Sequence, residues 1–352
     1  MKILFLPNWS DNPYQSDLAS ALKKRGVTVI MGGRSGIDRL PILGAIGAHG
    51  KPTVLHLHWT HPYLLGRSHT RSIIRSMRFI VELFIVKLLG IKIIWTVHNL
   101  LDHEMPYPQL EFFFNRLLVR LYDRLIVHCA FAREAIIRTY KLPDHYRKKI
   151  HVVPHGSYID TYENSLSRQE SRAMLGLGER DIVLLYFGTI RPYKGVLRMT
   201  ETFRKLQNPL VRLLIVGEPK SEAIKKELLK HCESDGRIRT FLKYVPATEV
   251  QIYMNAADVV VLPFQDILTS GSTLLAMSFG KPVIAPRIGC IPEVLDNRGA
   301  FLYDHNGEEG ILKAIHQVFS ANLAAMGKHN YCKAKLFDWN MIAQKTCALY
   351  QL

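Results

Sequence analysis

The feature that most constrains this chain is a rhythm that runs twice. Short β-branched runs, KILFL, VTVIMG, TVLHLHW, IKIIWTVHN and RLIVHC, are separated by longer amphipathic stretches such as SDLASALKKRG. After the polar interval TYENSLSRQES the pattern starts again with DIVLLYFG, VRLLIVG, IRTFLKYV, DVVVLPF and KPVIAP. Short apolar runs alternating with helical periods are βαβ units, and runs without polar alternation belong to strands buried on both faces. Two parallel, doubly wound Rossmann-like sheets are therefore expected, facing each other across a cleft, with ligands at the carboxyl ends of the strands. A length of 352 residues suits two cores better than one. The expected division is 1–157 for the first domain, 158–178 for a linker and 179–335 for the second. The stretch 336–352 is expected to form a terminal helix, with Trp339, Ile342, Cys347 and Leu349 at helical spacing, that either crosses back to the first domain or packs on its own domain.

Several classes lose support at once. No repeat or low-complexity tract suggests an array. The most apolar run, Phe79 to Trp95, is broken by Glu82, Lys87, Gly90 and Lys92, so it falls short of the ~20 clean residues of a spanning helix. The five cysteines are scattered, without paired or zinc-type spacing, and fit a reducing compartment. MKILFLP enters a strand pattern directly and lacks the features of a secretion signal, so a cytoplasmic protein is expected. The formal charge is +16, and the first 160 residues hold 22 of the 46 basic but only 11 of the 30 acidic side chains. An anionic partner of the first half follows. Nucleic acid is not expected, because no recognition motif accompanies the charge.

Local chemistry concentrates after two strands of the second half. In YFGTIRPYKGV the strand ends at Gly188, and Thr189 leads into a turn carrying Arg191 and Lys194, stiffened by Pro192 and closed by Gly195. Two cations at a strand end suit a diphosphate, Arg by bidentate contact and Lys as a point charge; the competing reading is a solvated basic turn. In LPFQDILTSGSTLLAMSFG a strand leads to a helix start at Ser270, Gly271, Ser272 and Thr273. Unpaired N–H groups and hydroxyls there can hold a phosphate, although serine capping alone explains the same residues.

The first half offers polar strand ends: His56, His58, Trp59 and His61 in HLHWTHP, His98 and Asn99 in TVHN, and Asn12, Pro13, Tyr14 and Gln15 in the early turn NWSDNPYQ. These are candidate acceptor contacts. His56, His58 and His61 superficially resemble a metal site, but neither carboxylate nor cysteine accompanies them, and no metal or other cofactor is expected. Arg67, Arg71, Arg75 and Arg78 recur at helical spacing beside Ile73, Ile74, Met77, Phe79 and Ile80, which is a face suited to anionic lipid or an ordinary solvated helix.

Together GTIRPYKG, AADVVVLPF, LLAMSFGKPVIAP and GCIPEV resemble the GT-B glycosyltransferases of group 1, a family that includes phosphatidylinositol mannosyltransferases and exopolysaccharide glycosyltransferases. The resemblance covers most of the chain and is strongest in the second half. It implies the GT-B fold and transfer of a hexose from a nucleotide diphosphate sugar to a lipid-linked or saccharide acceptor, with retention and without a metal, at the inner face of the membrane. It also implies that Arg191 and Lys194 neutralise the donor diphosphate, that Lys243, Tyr244 and Val245 frame the base, and that Gly188, Thr189, Gly217 and the 269–273 segment contact the donor. His98, Arg191 and Lys194 become the candidate catalytic residues. One departure stands out. The Glu pair common in the family is replaced by Ile267 and Leu275, leaving Asp266 and the hydroxyls of Thr269, Ser270, Ser272 and Thr273 as substitutes. A GT-B phosphorylase or epimerase, or a catalytically silent protein binding sugar nucleotide or lipid, is the alternative.

Overall fold

In the computed structural model, residues 1–9, 12–33, 39–101, 104, 107–305, 307 and 309–351 are described. They form two compact units, one comprising 1–156 with 338–352, the other 157–337. Ser10 and Asp11 of the early turn lie outside the described residues.

The first unit carries β1 (Lys2–Leu6), β2 (Thr28–Met31), β3 (Val54–Leu57), β4 (Lys92–Thr96), β5 (Arg124–Val127) and β6 (Ile150–Val152), all parallel, in the order β2-β1-β3-β4-β5-β6. The second carries β7 (Ile182–Phe187), β8 (Val211–Val216), β9 (Ile238–Phe241), β10 (Val259–Val261), β11 (Val283–Pro286) and β12 (Ala300–Tyr303), also all parallel, in the order β12-β11-β10-β7-β8-β9. Burial on both faces explains the continuous apolar runs. In β7, Val183 and Leu185 enter one apolar cluster while Leu184 and Tyr186 enter another on the opposite side.

Each order places a topological switch point. In the first sheet the chain leaves β1 toward β2 and returns on its other side as β3. In the second it leaves β7 toward β8 and β9 and returns as β10. Loops that diverge at such a point leave room for a ligand at the carboxyl ends of the strands. The loops concerned follow β1 and β3 in one unit, β7 and β10 in the other.

Two anchors hold these frames. The helix Trp339–Gln351 belongs to the first unit, where Ile342, Ala343, Leu349 and Tyr350 pack with Leu18 and Leu22 of the helix Pro13–Lys24. In the second unit the interval 158–178 contains the helix Arg168–Met174, opened by a capping box between Ser167 and Glu170. Arg172 of that helix is buried. Its guanidinium donates to Asp258 Oδ2 at 2.6 Å and to the carbonyls of Ala256, Gly178, Glu179 and Asp181 at 2.9–3.1 Å. Asp258 in turn accepts from Val183 N–H at 2.8 Å, so one buried cation joins the starts of β7 and β10. Among the described residues no helix is long and apolar enough to cross a membrane.

Candidate functional site

At the switch point of the second sheet, β7 ends and Gly188 takes φ +139°. The turn Pro192–Lys194 closes on Gly195, at φ +71°, where a Cβ would lie 2.0 Å from Pro263 O. Only glycine lets this loop press against the one after β10, and Gln265 N–H donates to Tyr193 O at 2.8 Å to join them. The contact folds Lys194 back over the strand end, where its ammonium donates to Thr189 Oγ1 at 2.9 Å. Lys194 Nζ and Ser272 Oγ lie 3.5 and 3.4 Å from the point that a Cβ on Gly188 would occupy. An ammonium and a hydroxyl from two separate loops thus reach the same bare stretch of backbone. Arg191 begins the turn, close enough for its charge to offset part of the burial that raises the Tyr186 hydroxyl well above its ordinary pKa. Lys194, Arg191 and the adjoining helix N-terminus together suit an anion of more than one charge.

The three hydroxyls at the start of the helix Gly271–Ser278 have different surroundings. Ser270 Oγ accepts from Thr273 N–H at 3.1 Å and is the helix cap. Thr273 Oγ1 is buried without a hydrogen-bond partner among the described residues. Ser272 is half-buried and is the hydroxyl that reaches Gly188. Gly271 opens the helix, Thr269 is half-buried before it, and Asp266 is exposed in the preceding loop.

The other expected donor residues divide between surface and packing. Tyr244 is exposed, whereas Val245 leans on the apolar cluster. Gly217, at φ +141°, has no room for a side chain, since a Cβ would sit 2.0 Å from Gly188 O. It lets the ends of β7 and β8 close together. Ile267 and Leu275, which stand where the family commonly has glutamates, both pack on the apolar cluster. The backbone at 267–268 is braced by the GCIPEV turn, where Gly289 takes φ +56° and Cys290 N–H donates to Leu268 O at 2.9 Å.

The carboxyl edge of the first sheet is built from imidazoles. His58 just after β3, His98 after β4, His128 after β5 and His155 after β6 gather around Tyr14, and His56 on β3 stacks on His58 with ring centroids 4.4 Å apart. The Tyr14 ring lies 4.8–5.9 Å from those of His58, His98, His128 and His155 and 5.5 Å from that of Trp339. Burial pushes His56 and His155 down to about 3 and His128 to about 4. It also holds His58 and His98 well below the usual imidazole range, with neighbouring histidines adding to the effect. All five are neutral at pH 7. His56 uses both ring nitrogens, Nδ1 with Tyr350 Oη at 2.6 Å and Nε2 with Thr96 Oγ1 at 2.7 Å. That commits it to the core rather than to a metal, and His61 instead stacks on Trp9.

Within this unit a pocket of about 310 Å3, its open mouth included, is lined by His58, Trp59, Trp95, His98, Asn99, Glu111 and Asn115 among others. His58 Nδ1 lies 3.5 Å from His98 Nε2. His58 Nε2 and Asn115 Oδ1 are buried without hydrogen-bond partners among the described residues. Such atoms carry a desolvation penalty in the folded unit. The early-turn residues have structural duties. Asn12 Oδ1 accepts from Tyr14 N–H at 3.0 Å as a helix cap, Pro13 is the first residue of that helix, and Tyr14 is core. Gln15 accepts from Trp9 N–H at 2.8 Å and donates to Pro7 O at 2.9 Å, bracing the loop after β1.

Sequence reasoning missed Glu111 and Asn115. Their signal was present, since the two polar residues stand four apart on the buried side of the helix Pro108–Leu121, alongside Phe114 and Leu118. It also missed His128 and His155, each just beyond a strand end.

Two parallel doubly wound units define a fold class, that of the GT-B glycosyltransferases. The family description "Glycosyl transferases group 1" matches residues 167–334, and "Glycosyltransferase Family 4" matches 13–160. The chain belongs to this family of glycosyltransferases and is an enzyme of that kind. It is 28% identical over 312 residues to a GDP-mannose:glycolipid 4-beta-D-mannosyltransferase of Xanthomonas campestris pv. campestris, a match spanning 88% of this chain and 80% of that one. It is 27% identical over 282 residues to a D-inositol 3-phosphate glycosyltransferase of Segniliparus rotundus, spanning 75% of this chain and 61% of that protein. The fold is shared with sucrose-phosphate synthase from Thermosynechococcus elongatus, with TM-score 0.80, 17% identity and coverage of 99% of this chain and 98% of the other. It is shared too with Anabaena HepE in complex with UDP and glucose, with TM-score 0.77, 18% identity and full coverage of both chains.

Proposed function

We propose that this enzyme transfers a hexose from a nucleotide diphosphate sugar to a lipid-linked or saccharide acceptor at an anionic membrane surface on the cytoplasmic side. The convergence of Lys194 Nζ and Ser272 Oγ over the bare backbone of Gly188 carries the donor half of this reading. The diphosphate lies there, with Arg191 and the helix start adding positive potential. As the glycosidic bond breaks, these groups stabilise the charge that gathers on the leaving phosphate, so the residues supply what a metal ion would otherwise provide. Tyr244 and Val245 stand beside the base. The acceptor is recognised in the first unit by the pocket lined by His58, His98, Asn99, Glu111 and Asn115, whose polar side chains suit sugar hydroxyls.

In the retaining course the acceptor hydroxyl attacks from the leaving-group side and its proton passes to the departing phosphate. A second course uses His98 as the base; burial and the neighbouring histidines disfavour its charged form, so it takes a proton only where substrate binding offsets that penalty. There the hydroxyl attacks from the opposite side, its proton passes to His98, and the anomeric configuration inverts. The test is a transfer assay with a panel of nucleotide sugars and lipid-linked acceptors, the product anomer being read by NMR. Transfer with retention and an active His98→Ala variant supports the first course. Inversion with loss of activity in that variant supports the second. Donor turnover with phosphate alone, or no transfer across the panel, overturns the proposal.

A further inference from the structure

The helix His69–Leu88 buries one side through Phe79, Leu83 and Val86 and leaves another uncovered. Ile74, Met77, Val81, Phe84 and Leu88 recur every three or four residues, share that uncovered side and are all exposed, Ile74 by 62% and Leu88 by 73%. A scattered exposed leucine needs no explanation. Five large apolar side chains aligned along a helix about 30 Å long form a contiguous patch of the kind that marks a binding surface.

Charge indicates the partner. Arg71, Arg75 and Arg78 border the stripe along one flank, and Arg67 precedes the helix. Arg75 is tied to Leu65 O at 2.7 Å, and Arg78 Nε lies 3.9 Å from Glu82 Oε2, whereas Arg67 and Arg71 are exposed. The one carboxylate of the helix, Glu82, is buried on the opposite side, where its Oε1 accepts from the N–H groups of Ile42 and Leu43 at 3.0 Å each. The uncovered side therefore presents apolar groups and positive charge without a carboxylate of its own helix. A second copy of this chain meeting the same face would set two arginine rows against each other.

We propose that this face docks on an anionic lipid bilayer, the helix lying in the headgroup plane with its apolar stripe at the acyl boundary and its arginines on lipid phosphates. The inference deepens the reading of a membrane-associated acceptor by naming the surface that reaches the membrane.

The test is sedimentation of the full chain with vesicles, without substrate. The wild type is expected to sediment with phosphatidylglycerol mixed into phosphatidylcholine and to stay in solution with phosphatidylcholine alone. Phe84→Ser with Leu88→Ser, and separately Arg67→Gln with Arg71→Gln, should each lower partition about tenfold. Far-ultraviolet dichroism and nucleotide affinity should be unchanged, which separates lost docking from lost folding. Equal partition of either folded double variant and the wild type overturns the proposal, as does equal binding of the wild type to neutral vesicles. So does light scattering in which the serine pair splits a dimer while vesicle binding persists. Transfer to a water-soluble acceptor is scored in the same preparations: docking without transfer sinks the catalytic reading alone, and transfer without docking sinks this one alone.

Discussion

Lowering the pH should unfold the first unit well before ordinary acid denaturation. His56, His58, His98, His128 and His155 are all buried and neutral. An unfolded histidine titrates near 6.5, and these titrate lower in the native state, so in acid the unfolded chain binds more protons than the folded one. Their neutral packing is fully compatible with folding above about pH 6.5, and stability is lost progressively as pH falls from there toward the native values, about 3 for His56 and His155 and about 4 for His128. Each unit of pH in that window costs about 1.4 kcal/mol per histidine. At pH 5.5 His56, His128 and His155 together remove about 4 kcal/mol, and His58 and His98 act in the same direction, against the 5–15 kcal/mol that typically holds a domain together. The four tryptophans, Trp9, Trp59, Trp95 and Trp339, all lie in the first unit, so their fluorescence follows that unit alone. Urea unfolding read by fluorescence should show little dependence on pH between 8 and 7 and a slope that steepens to an uptake of about three to five protons by pH 5.5. A slope of less than one proton would refute the neutral buried cluster.

Three neighbouring hydroxyls should separate cleanly. Ser270→Ala removes a helix cap and should cost about 1 kcal/mol in thermal unfolding. Thr273→Val removes a buried hydroxyl without a partner and should leave stability unchanged or raised. Ser272→Ala should leave stability unchanged and weaken nucleoside diphosphate binding about fivefold, measured by calorimetry. Gly217→Ala would place a Cβ 2.0 Å from Gly188 O at φ +141°, so the second unit should lose about 2 kcal/mol or more, visible as a lowered Tm. Arg172→Ala removes the buried partner of four carbonyls and leaves Asp258 with only Arg168 and Val183 N–H among the described residues, and should cost about 3 kcal/mol in urea unfolding.

The sequence carried the architecture because strands buried on both faces write themselves as unbroken runs, and two series of such runs mean two sheets. It carried the strand-end cations for the same reason, since the end of a legible strand shows which residues follow it. The helix Arg168–Met174 was less legible. It is held by one buried guanidinium rather than by an apolar stripe, and TYENSLSRQES reads as an irregular polar interval. The histidine cluster was legible only in part. His56, His58 and His98 stand out in their motifs, but their neighbourhood with His128, His155 and Tyr14 depends on which strands are adjacent, and strand order is not written in local periodicity. The separate surroundings of Ser270, Ser272 and Thr273 depend on side-chain direction within one helical turn, which spacing alone leaves open. Ile267 and Leu275 show the converse: their identity announced a departure from the family, and their packing in the apolar cluster accounts for it.

The account depends most on a diphosphate being held at Lys194, Arg191 and Ser272. Isothermal titration of UDP and GDP into the wild type and into the Arg191→Ala, Lys194→Ala double variant measures that directly. Without the guanidinium and the ammonium to pair with the phosphates, the dissociation constant of the nucleotide that binds should rise about a hundredfold or more while thermal stability stays the same. Equal affinity in a folded double variant, or no binding of either nucleotide to the wild type, would contradict the account.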